Sequence, residues 1–211
     1  MDLFNQRGND SSRSFEKIKL KDGEVWYMPN FMPQDKTDKY FNALLNTINW
    51  KQEELKMYGK TYPIPRKTAW YGYEGMNYSY SGIKCNPEAW TKELLDIKKV
   101  IEHFVPNNDF NSVLLNLYRD GNDKVSWHAD DEPELGKNPI IASVSLGATR
   151  RFDLKHKDDS NEKMHFDLTS GSLIVMIGAL QHNWLHQIPV QKRISSPRIN
   201  LTYRTIYLNS I

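Results

Sequence analysis

Two nearby side chains carry the clearest chemical potential in this sequence. His128 and Asp130 stand two residues apart in a stretch typical of a strand, so both point to one face. A second imidazole from a later strand would complete two histidines and one carboxylate on one face of a metal ion. That ligand set leaves coordination positions open and suits Fe(II). The sequence therefore predicts a metal centre whose third ligand comes from elsewhere in the chain.

Two later histidines, His182 and His186, compete for the third position. On a helix this pair, four residues apart, would face one side and could hold zinc. The surrounding isoleucines and flanking proline are instead typical of a strand. We choose His186, because it lies one hairpin before the arginine-bearing segment that begins at Arg198. The other histidines are expected at the surface: His103, His156 and His165.

The segment from 198 to 204 has polar side chains at every second position. One strand face would carry Arg198, Asn200, Thr202 and Arg204. An edge strand with a solvated face would explain this pattern. A lined cavity would also explain it, because guanidinium groups bind carboxylates through paired, planar hydrogen bonds. Asn116 and Tyr118 similarly share one face of an earlier strand, so two polar rows indicate a cavity suited to a dicarboxylate.

The elements that must position these residues differ before and after residue 110. Before it, apolar spacing predicts a helix from Asp35 and a second from Asn86-Pro87, which Pro106 ends. After it, turn signals separate eight short β-rich runs, at 112–119, 125–130, 140–146, 151–155, 164–168, 173–177, 184–190 and 198–207. We predict a mostly β fold with flanking helices (α+β), built as an antiparallel sandwich or jelly roll.

Composition narrows the class of protein. The chain of 211 residues fits one domain, and its 28 basic and 26 acidic residues give a net charge of +2, which excludes a polybasic tail. The single cysteine, Cys85, excludes an intrachain disulfide and fits a reducing compartment. No apolar run approaches the roughly 18 residues of a membrane span. We expect a cytoplasmic monomer with no membrane association, a flexible segment over 1–14 and a single domain over 15–211.

With these motifs the chain resembles the AlkB family of Fe(II)- and 2-oxoglutarate-dependent dioxygenases, which dealkylate nucleic-acid bases. The resemblance extends from about residue 58 to 207. It is carried by His128-Ala129-Asp130, His186 and the 198–204 segment, which matches R-x-N-x-T-x-R at every fixed position. It implies a double-stranded β-helix (jelly-roll) core over roughly 110–208 and Fe(II) held by the two histidines and Asp130. It also implies that 2-oxoglutarate is bound by Asn116, Tyr118, Arg198, Asn200, Thr202 and Arg204, with Arg198 expected at the distal carboxylate.

A stretch between the two predicted helices interleaves aromatic and basic residues. Such residues suit a groove where cations meet phosphates and rings stack on bases, although aromatic residues in hairpins also cap cores. The resemblance implies that residues 55–82 form a nucleotide-recognition lid. Tyr58 would fill the gap left by a flipped base or stack on a single strand. The residues it assigns to the substrate are Tyr58, Arg66, Tyr78, Tyr80, Ser81, Asp131 and Glu132.

The reaction that the resemblance implies is oxidative demethylation of N1-methyladenine and N3-methylcytosine. O2 and 2-oxoglutarate are consumed, the N-methyl group is hydroxylated, and formaldehyde is released. The partner would be alkylated single- or double-stranded DNA, with RNA left open, and Asp131 and Glu132 would favour these cationic bases.

Two alternatives remain. One is a 2-oxoglutarate-dependent hydroxylase of a protein side chain, which needs no basic, base-stacking lid. The other is a silent nucleic-acid binding module, which we would expect to have lost a metal ligand or an arginine. Arg198 and Arg204 are both retained here.

Overall fold

The described residues form two main antiparallel sheets, two separate two-stranded sheets, three α-helices and one 3-10 helix (Pro133–Leu135). The computed structural model describes residues 13–57, 59–76, 78–80 and 83–207, without the side chains of 56–57, 78–80 and 83–85. The strands before the second helix are β1 (Glu16–Leu20), β2 (Gly23–Met28), β3 (Glu54–Met57), β4 (Lys60–Pro63), β5 (Lys67–Gly72), β6 (Tyr78–Tyr80) and β7 (Ile83–Cys85). The later strands are β8 (Ser112–Tyr118), β9 (Val125–His128), β10 (Ile141–Gly147), β11 (Arg150–His156), β12 (Lys163–Leu168), β13 (Ser172–Ile177), β14 (Trp184–Ile188) and β15 (Arg198–Arg204). The helices are α1 (Gln34–Thr47), α2 (Lys92–Phe104) and α3 (Leu180–Asn183).

The central strands of the large sheet are buried on both faces, whereas its edge strand β1 is largely exposed. The seven strands of this sheet run in the order β1-β2-β13-β10-β15-β8-β5, and the small sheet has the order β12-β11-β14-β9. On β8, Val113 and Leu115 belong to the core shared with α1 and α2, while Leu114 and Tyr118 pack toward the small sheet. A sheet covered on both faces needs near-continuous apolar strands, and every residue of β8 is buried. The predicted mostly β fold with flanking helices is confirmed.

The eight β-rich runs predicted after residue 110 all form strands, β8 to β15. The edge-strand explanation for 198–204 is wrong, because β15 lies between β10 and β8 and is buried along its whole length. Arg198 is paired with Tyr118, and Asn200 with Asn116. The two polar rows therefore lie side by side and face the interior between the sheets.

The predicted start of the second helix, at Asn86-Pro87, is wrong. α2 begins at Lys92, and the Thr91 side chain accepts a hydrogen bond from the Leu94 amide as its N-cap. Glu88 instead lies in extended backbone, where its amide donates to the carbonyl of Trp70 on β5. A pairing with a distant strand thus overrides the local proline signal. The predicted beginning of α1 and the end of α2 before Pro106 are confirmed.

The segment predicted as a lid is divided between three sheets. β3 pairs with β4 and β6 pairs with β7, each as a separate two-stranded sheet, whereas β5 joins the large sheet beside β8. Arg66, immediately before β5, lies where the hairpin meets this sheet.

Within the described ranges, no helix is long and apolar enough to cross a membrane.

Candidate active site

Three potential metal ligands converge between β9 and β14. The two strands pair with His186 opposite His128, and the centroids of the two imidazoles lie 4.2 Å apart. Asp130 follows two residues after His128, and its Oδ2 is 4.0 Å from Nε2 of His186. One ligand atom from each of these three side chains lies within 4.8 Å of the others. The site therefore has the two-histidine, one-carboxylate set that Fe(II) uses.

The protonation states of this cluster suit metal binding. Burial lowers the pKa of His186 to about 3, and burial also lowers the pKa of His128, so both imidazoles are neutral at pH 7. Burial would raise the pKa of Asp130, but the charge and the hydrogen bond of Arg204 outweigh it and the pKa falls below its usual value. Neutral imidazoles and an ionised carboxylate are the forms that bind a metal ion.

Hydrogen bonds hold two of the ligands in position. Nη2 of Arg204 lies 2.7 Å from Oδ1 of Asp130, and the Asp130 amide donates to Oε1 of Gln181 at 2.9 Å. Nδ1 of His128 lies 2.8 Å from the carbonyl oxygen of Ser126. This contact fixes the proton on Nδ1 and leaves Nε2 free to coordinate the metal.

The cluster opens into a cavity of about 410 Å³ between the sheets. Arg198 lies in its wall, at the opposite end of β15 from Arg204. Nη2 of Arg198 donates to Oγ of Ser145 at 2.8 Å, and its guanidinium lies 5.2 Å from the ring of Tyr118. In the described part of the chain, its Nε and Nη1 are buried without a hydrogen-bond partner.

A buried guanidinium with unused donors calls for an anion. Burial lowers the pKa of Arg198 to about 10, so it remains charged at pH 7. A buried charge is costly unless an opposite charge satisfies it, and a carboxylate matches the paired donors of a guanidinium. The cavity thus offers a metal set and a carboxylate-binding arginine, and it fits Fe(II) together with 2-oxoglutarate.

Known proteins resemble this chain in sequence and in fold. The family model of the 2OG-Fe(II) oxygenase superfamily matches residues 24–204. DNA oxidative demethylase ALKBH2 of Mus musculus is 37% identical over 180 residues, which cover 80% of this chain and 74% of that protein. The chain belongs to the AlkB family. Alpha-ketoglutarate-dependent dioxygenase alkB homolog 3 of Bos taurus is 42% identical over 192 residues, covering 87% of this chain. The chain spans 66% of the length of that relative.

Solved structures extend the likeness to the fold. The structure of OsALKBH1 superposes with a TM-score of 0.57 at 18% sequence identity, covering 90% of this chain and 99% of that one. At this identity the match concerns the fold alone. It agrees with the jelly-roll arrangement of the two sheets. The family model that matches is that of oxygenases that use Fe(II) and 2-oxoglutarate.

The remaining polar residues of the AlkB cavity brace one another. Nδ2 of Asn200 donates to Oγ of Ser143 at 2.7 Å, and Oγ1 of Thr202 donates to Oδ1 of Asn200 at 3.4 Å. Oδ1 of Asn116 accepts from Nε of Arg66 at 2.8 Å. These side chains all line the cavity, so the structure brings together every residue predicted to hold 2-oxoglutarate, as well as Arg66 from the predicted substrate set.

The two acids after Asp130 differ in position. Glu132 lines the cavity, whereas Asp131 is exposed and lies 3.5 Å from Nζ of Lys157. In the part of the chain that the structure describes, Asp131 is therefore outside the cavity wall. Tyr58 and Ser81 fall outside the described residues, and Tyr78 and Tyr80 are described only as backbone of β6.

Sequence reasoning misplaced one histidine and missed two supporting residues. His156, expected at the surface, is buried against Trp184, with Nδ1 accepting from the amides of Asp158 and Asp159. Its inward position on β11 is the reason. Ser145 and Gln181, which hold Arg198 and Asp130, had no local signal, because their importance comes only from contacts with distant strands.

Proposed function

We propose that this protein oxidatively demethylates N-alkylated bases, with N1-methyladenine and N3-methylcytosine in DNA as the expected substrates and RNA as a further one. The observation that carries the proposal is the placement of the metal set in a cavity whose wall is completed by Tyr62 and Arg66 from the aromatic and basic segment. The similarity to DNA oxidative demethylase ALKBH2 of Mus musculus, at 37% identity, supports the same substrate class.

The bound cofactors would supply the oxidation. When bound, they would supply the chemistry that hydroxylates the N-methyl group at the expense of O2 and 2-oxoglutarate, giving succinate, CO2 and a hydroxymethyl group that would leave as formaldehyde. His128, Asp130 and His186 would hold the metal. Arg198 would bind the distal carboxylate of 2-oxoglutarate.

The cavity wall would keep this reaction away from water. Phe152 and Ile188 are buried residues of the wall, and the Phe152 ring lies 5.3 Å from the imidazole of His186. Excluding water strengthens the electrostatic interactions inside a site and prevents side reactions of a reactive oxidant. No side chain has to act as a nucleophile, so the protein contributes coordination, orientation and a dry pocket.

Recognition of the alkylated base would depend on charge and stacking. N1-methyladenine and N3-methylcytosine are cationic, and Glu132 places a carboxylate in the cavity wall. Asp131 would contribute less, because Lys157 partly compensates its charge. Stacking would come from the aromatic residues of the lid proposed over 55–82. The substrate residues that we propose in this lid are Tyr58, Arg66, Tyr78, Tyr80 and Ser81.

The test is reconstitution with Fe(II) and 2-oxoglutarate without oxygen, followed by exposure to air with an oligonucleotide that carries one N1-methyladenine. Mass spectrometry should show loss of one methyl group that requires both iron and 2-oxoglutarate. Single- and double-stranded DNA and the RNA equivalent are compared in parallel. Succinate formation without methyl loss on any of these substrates would reject the proposal and favour the hydroxylase of a protein side chain. Absence of both products would favour a silent binding module.

We further propose that the protein acts in the cytoplasm as a monomer and that 15–211 form one domain. The single cysteine supports a reducing compartment. The small net charge supports a surface without a polybasic tail. Light scattering coupled to size exclusion measures the oligomeric state, and a mass of twice 24.7 kDa would contradict the monomer.

A further inference from the structure

Gln181 is a buried polar residue that contacts the metal centre from outside. It is 1% exposed and lies on α3, in the short connection between β13 and β14. Its Oε1 accepts the hydrogen bond from the backbone amide of Asp130 at 2.9 Å, and its Nε2 lies 3.3 Å from Sδ of Met176. Its carbonyl oxygen accepts from Nζ of Lys157 at 3.2 Å. One residue thus joins three points around the site, on Asp130, Met176 and Lys157.

The chemistry of these partners fixes the orientation of the Gln181 amide. A backbone N–H can only donate, so the atom that faces Asp130 must be the oxygen. The NH2 group then faces the thioether of Met176, which is a weak acceptor. If the amide were reversed, its NH2 group would face the backbone N–H of Asp130. Two donors would then face each other and a buried N–H would be left unsatisfied, which costs about 1–3 kcal/mol.

The position of Asp130 explains why such a contact is needed. β9 is an edge strand of the small sheet and ends at His128, so Asp130 lies beyond the regular strand. Arg204 holds its carboxylate, but the backbone that carries this carboxylate is bound by Gln181. Gln181 is also close to His186 along the chain, because only the end of α3 and the first residues of β14 separate them. The same side chain therefore fixes the distance between the backbones that present two metal ligands.

We infer that Gln181 is a positioning residue for the metal centre, acting through the main chain of Asp130. It sets the geometry of the ligand before the metal binds. The inference rests on the metal centre of the proposed oxygenase and does not depend on the identity of the nucleic-acid substrate. Residues that orient metal ligands typically change metal affinity about 10- to 100-fold when they are replaced.

The experiment measures Mn(II) binding by the metal-free full chain, using the EPR signal of free Mn(II). Gln181→Met removes the acceptor and keeps the length of the side chain, and we expect about tenfold weaker binding. Gln187→Met is the matched control, because Gln187 lies beside His186 on β14 but bonds to Asp153. The absorption spectrum of bound Co(II), which reports ligand geometry, should change in the Gln181 variant only. Thermal unfolding of each metal-free variant separates affinity from stability.

A second variant keeps the test decisive if Gln181→Met does not fold. Gln181→Asn retains a buried amide but withdraws its oxygen by about 1.5 Å, the length of one carbon–carbon bond. It should also weaken Mn(II) binding. Wild-type affinity in both Gln181 variants, or an equal loss in Gln187→Met, would overturn the inference, as would a lower unfolding temperature with unchanged Mn(II) affinity. Failure of wild-type protein to demethylate bases would instead reject the proposed function and leave this inference intact.

Discussion

The metal centre and the hairpin segment around it are constructed in different ways. The ligands Asp130 and His186 are 4% and 5% exposed. His186 lies on β14, which pairs with β11 and β9, and Asp130 follows β9. Among the described residues, the hairpins β3–β4 and β6–β7 each form a separate two-stranded sheet, and β4 is exposed along its length. Coordination chemistry needs ligands held to within about 0.5 Å, which packed strands provide. Recognition of a large substrate needs accessible loops on a rigid support.

Arg66 connects the two regions. Arg66 stands between β4 and β5, is buried, and donates to Asn116 on β8. β5 then continues into the large sheet. The hairpin segment is therefore anchored at the cavity wall while β4 remains exposed. Variants in the two regions should differ accordingly: changes at the centre should affect cofactor binding, and changes in the hairpins should affect substrate binding.

The largest effect is expected at the metal centre. Asp130→Asn retains an oxygen for the Arg204 hydrogen bond but removes the negative charge that attracts the metal. We expect turnover to fall by more than about 100-fold, the upper range seen for residues that only orient ligands. Succinate release measures turnover, and circular dichroism verifies the fold. Near-normal turnover in purified Asp130→Asn would show that the ligand set is misassigned.

The next largest effect is expected at the carboxylate-binding end of the cavity. Arg198→Gln removes charged hydrogen bonds worth about 2–3 kcal/mol, so the KM for 2-oxoglutarate should rise about 100-fold. Mn(II) affinity should stay at the wild-type value, because Arg198 does not contact the metal ligands. Arg151→Gln is the control, since Arg151 lies on the exposed face of β11. A parallel loss of Mn(II) affinity would contradict a separate role for Arg198.

A smaller effect is expected in the hairpin segment. Tyr80→Ala should remove one stacking contact with a base, worth about 1–3 kcal/mol, and raise the KM for the oligonucleotide about tenfold. The KM for 2-oxoglutarate should not change. Tyr207→Ala, at an exposed tyrosine, is the control. If Tyr80→Ala raised the KM for 2-oxoglutarate instead, the division between the two regions would be refuted.

The smallest effect concerns the stability of the turn that leads into β9. The buried Asp123 carboxylate is paired with Arg119 at 2.7 Å. Burial would raise the pKa of Asp123, but the hydrogen bonds from Arg119 outweigh it and lower the pKa. Because Arg119 is half-exposed, Asp123→Asn should reduce the free energy of unfolding by about 1 kcal/mol at pH 7.

The pH dependence of this difference follows from the lowered pKa. The stabilisation by Asp123 is complete above its unfolded pKa of about 3.9 and is lost as the pH falls through the lower folded value. Urea unfolding of both proteins at neutral and acidic pH measures the difference, with Asp158→Asn as an exposed control. A difference that persisted undiminished in acid would exclude the ion pair as its source.

Local pattern was sufficient to predict the eight strands after residue 110 and the polar rows of the cavity. Alternation along a strand is a property of the backbone, so the shared face of the polar residues on β15 follows from spacing alone. The spacing also predicted that His128 and Asp130 lie together, although β9 ends at His128 and Asp130 is held by Arg204 and Gln181. The preference for His186 over His182 also agrees with the structure. α3 ends at Asn183, and His186 lies on β14, while exposed His182 accepts from the Asn138 amide.

The sequence by itself therefore determined which side chains share a strand face, and with them the metal ligands and the polar rows of the cavity. Tertiary structure alone decided that β15 is central, that Glu132 and not Asp131 lines the cavity, and that Gln181 holds Asp130. It also decided that Glu88 pairs with β5, which delays α2 to Lys92. Periodicity is a local property of the chain, whereas burial and hydrogen-bond partners depend on segments that are far apart in sequence.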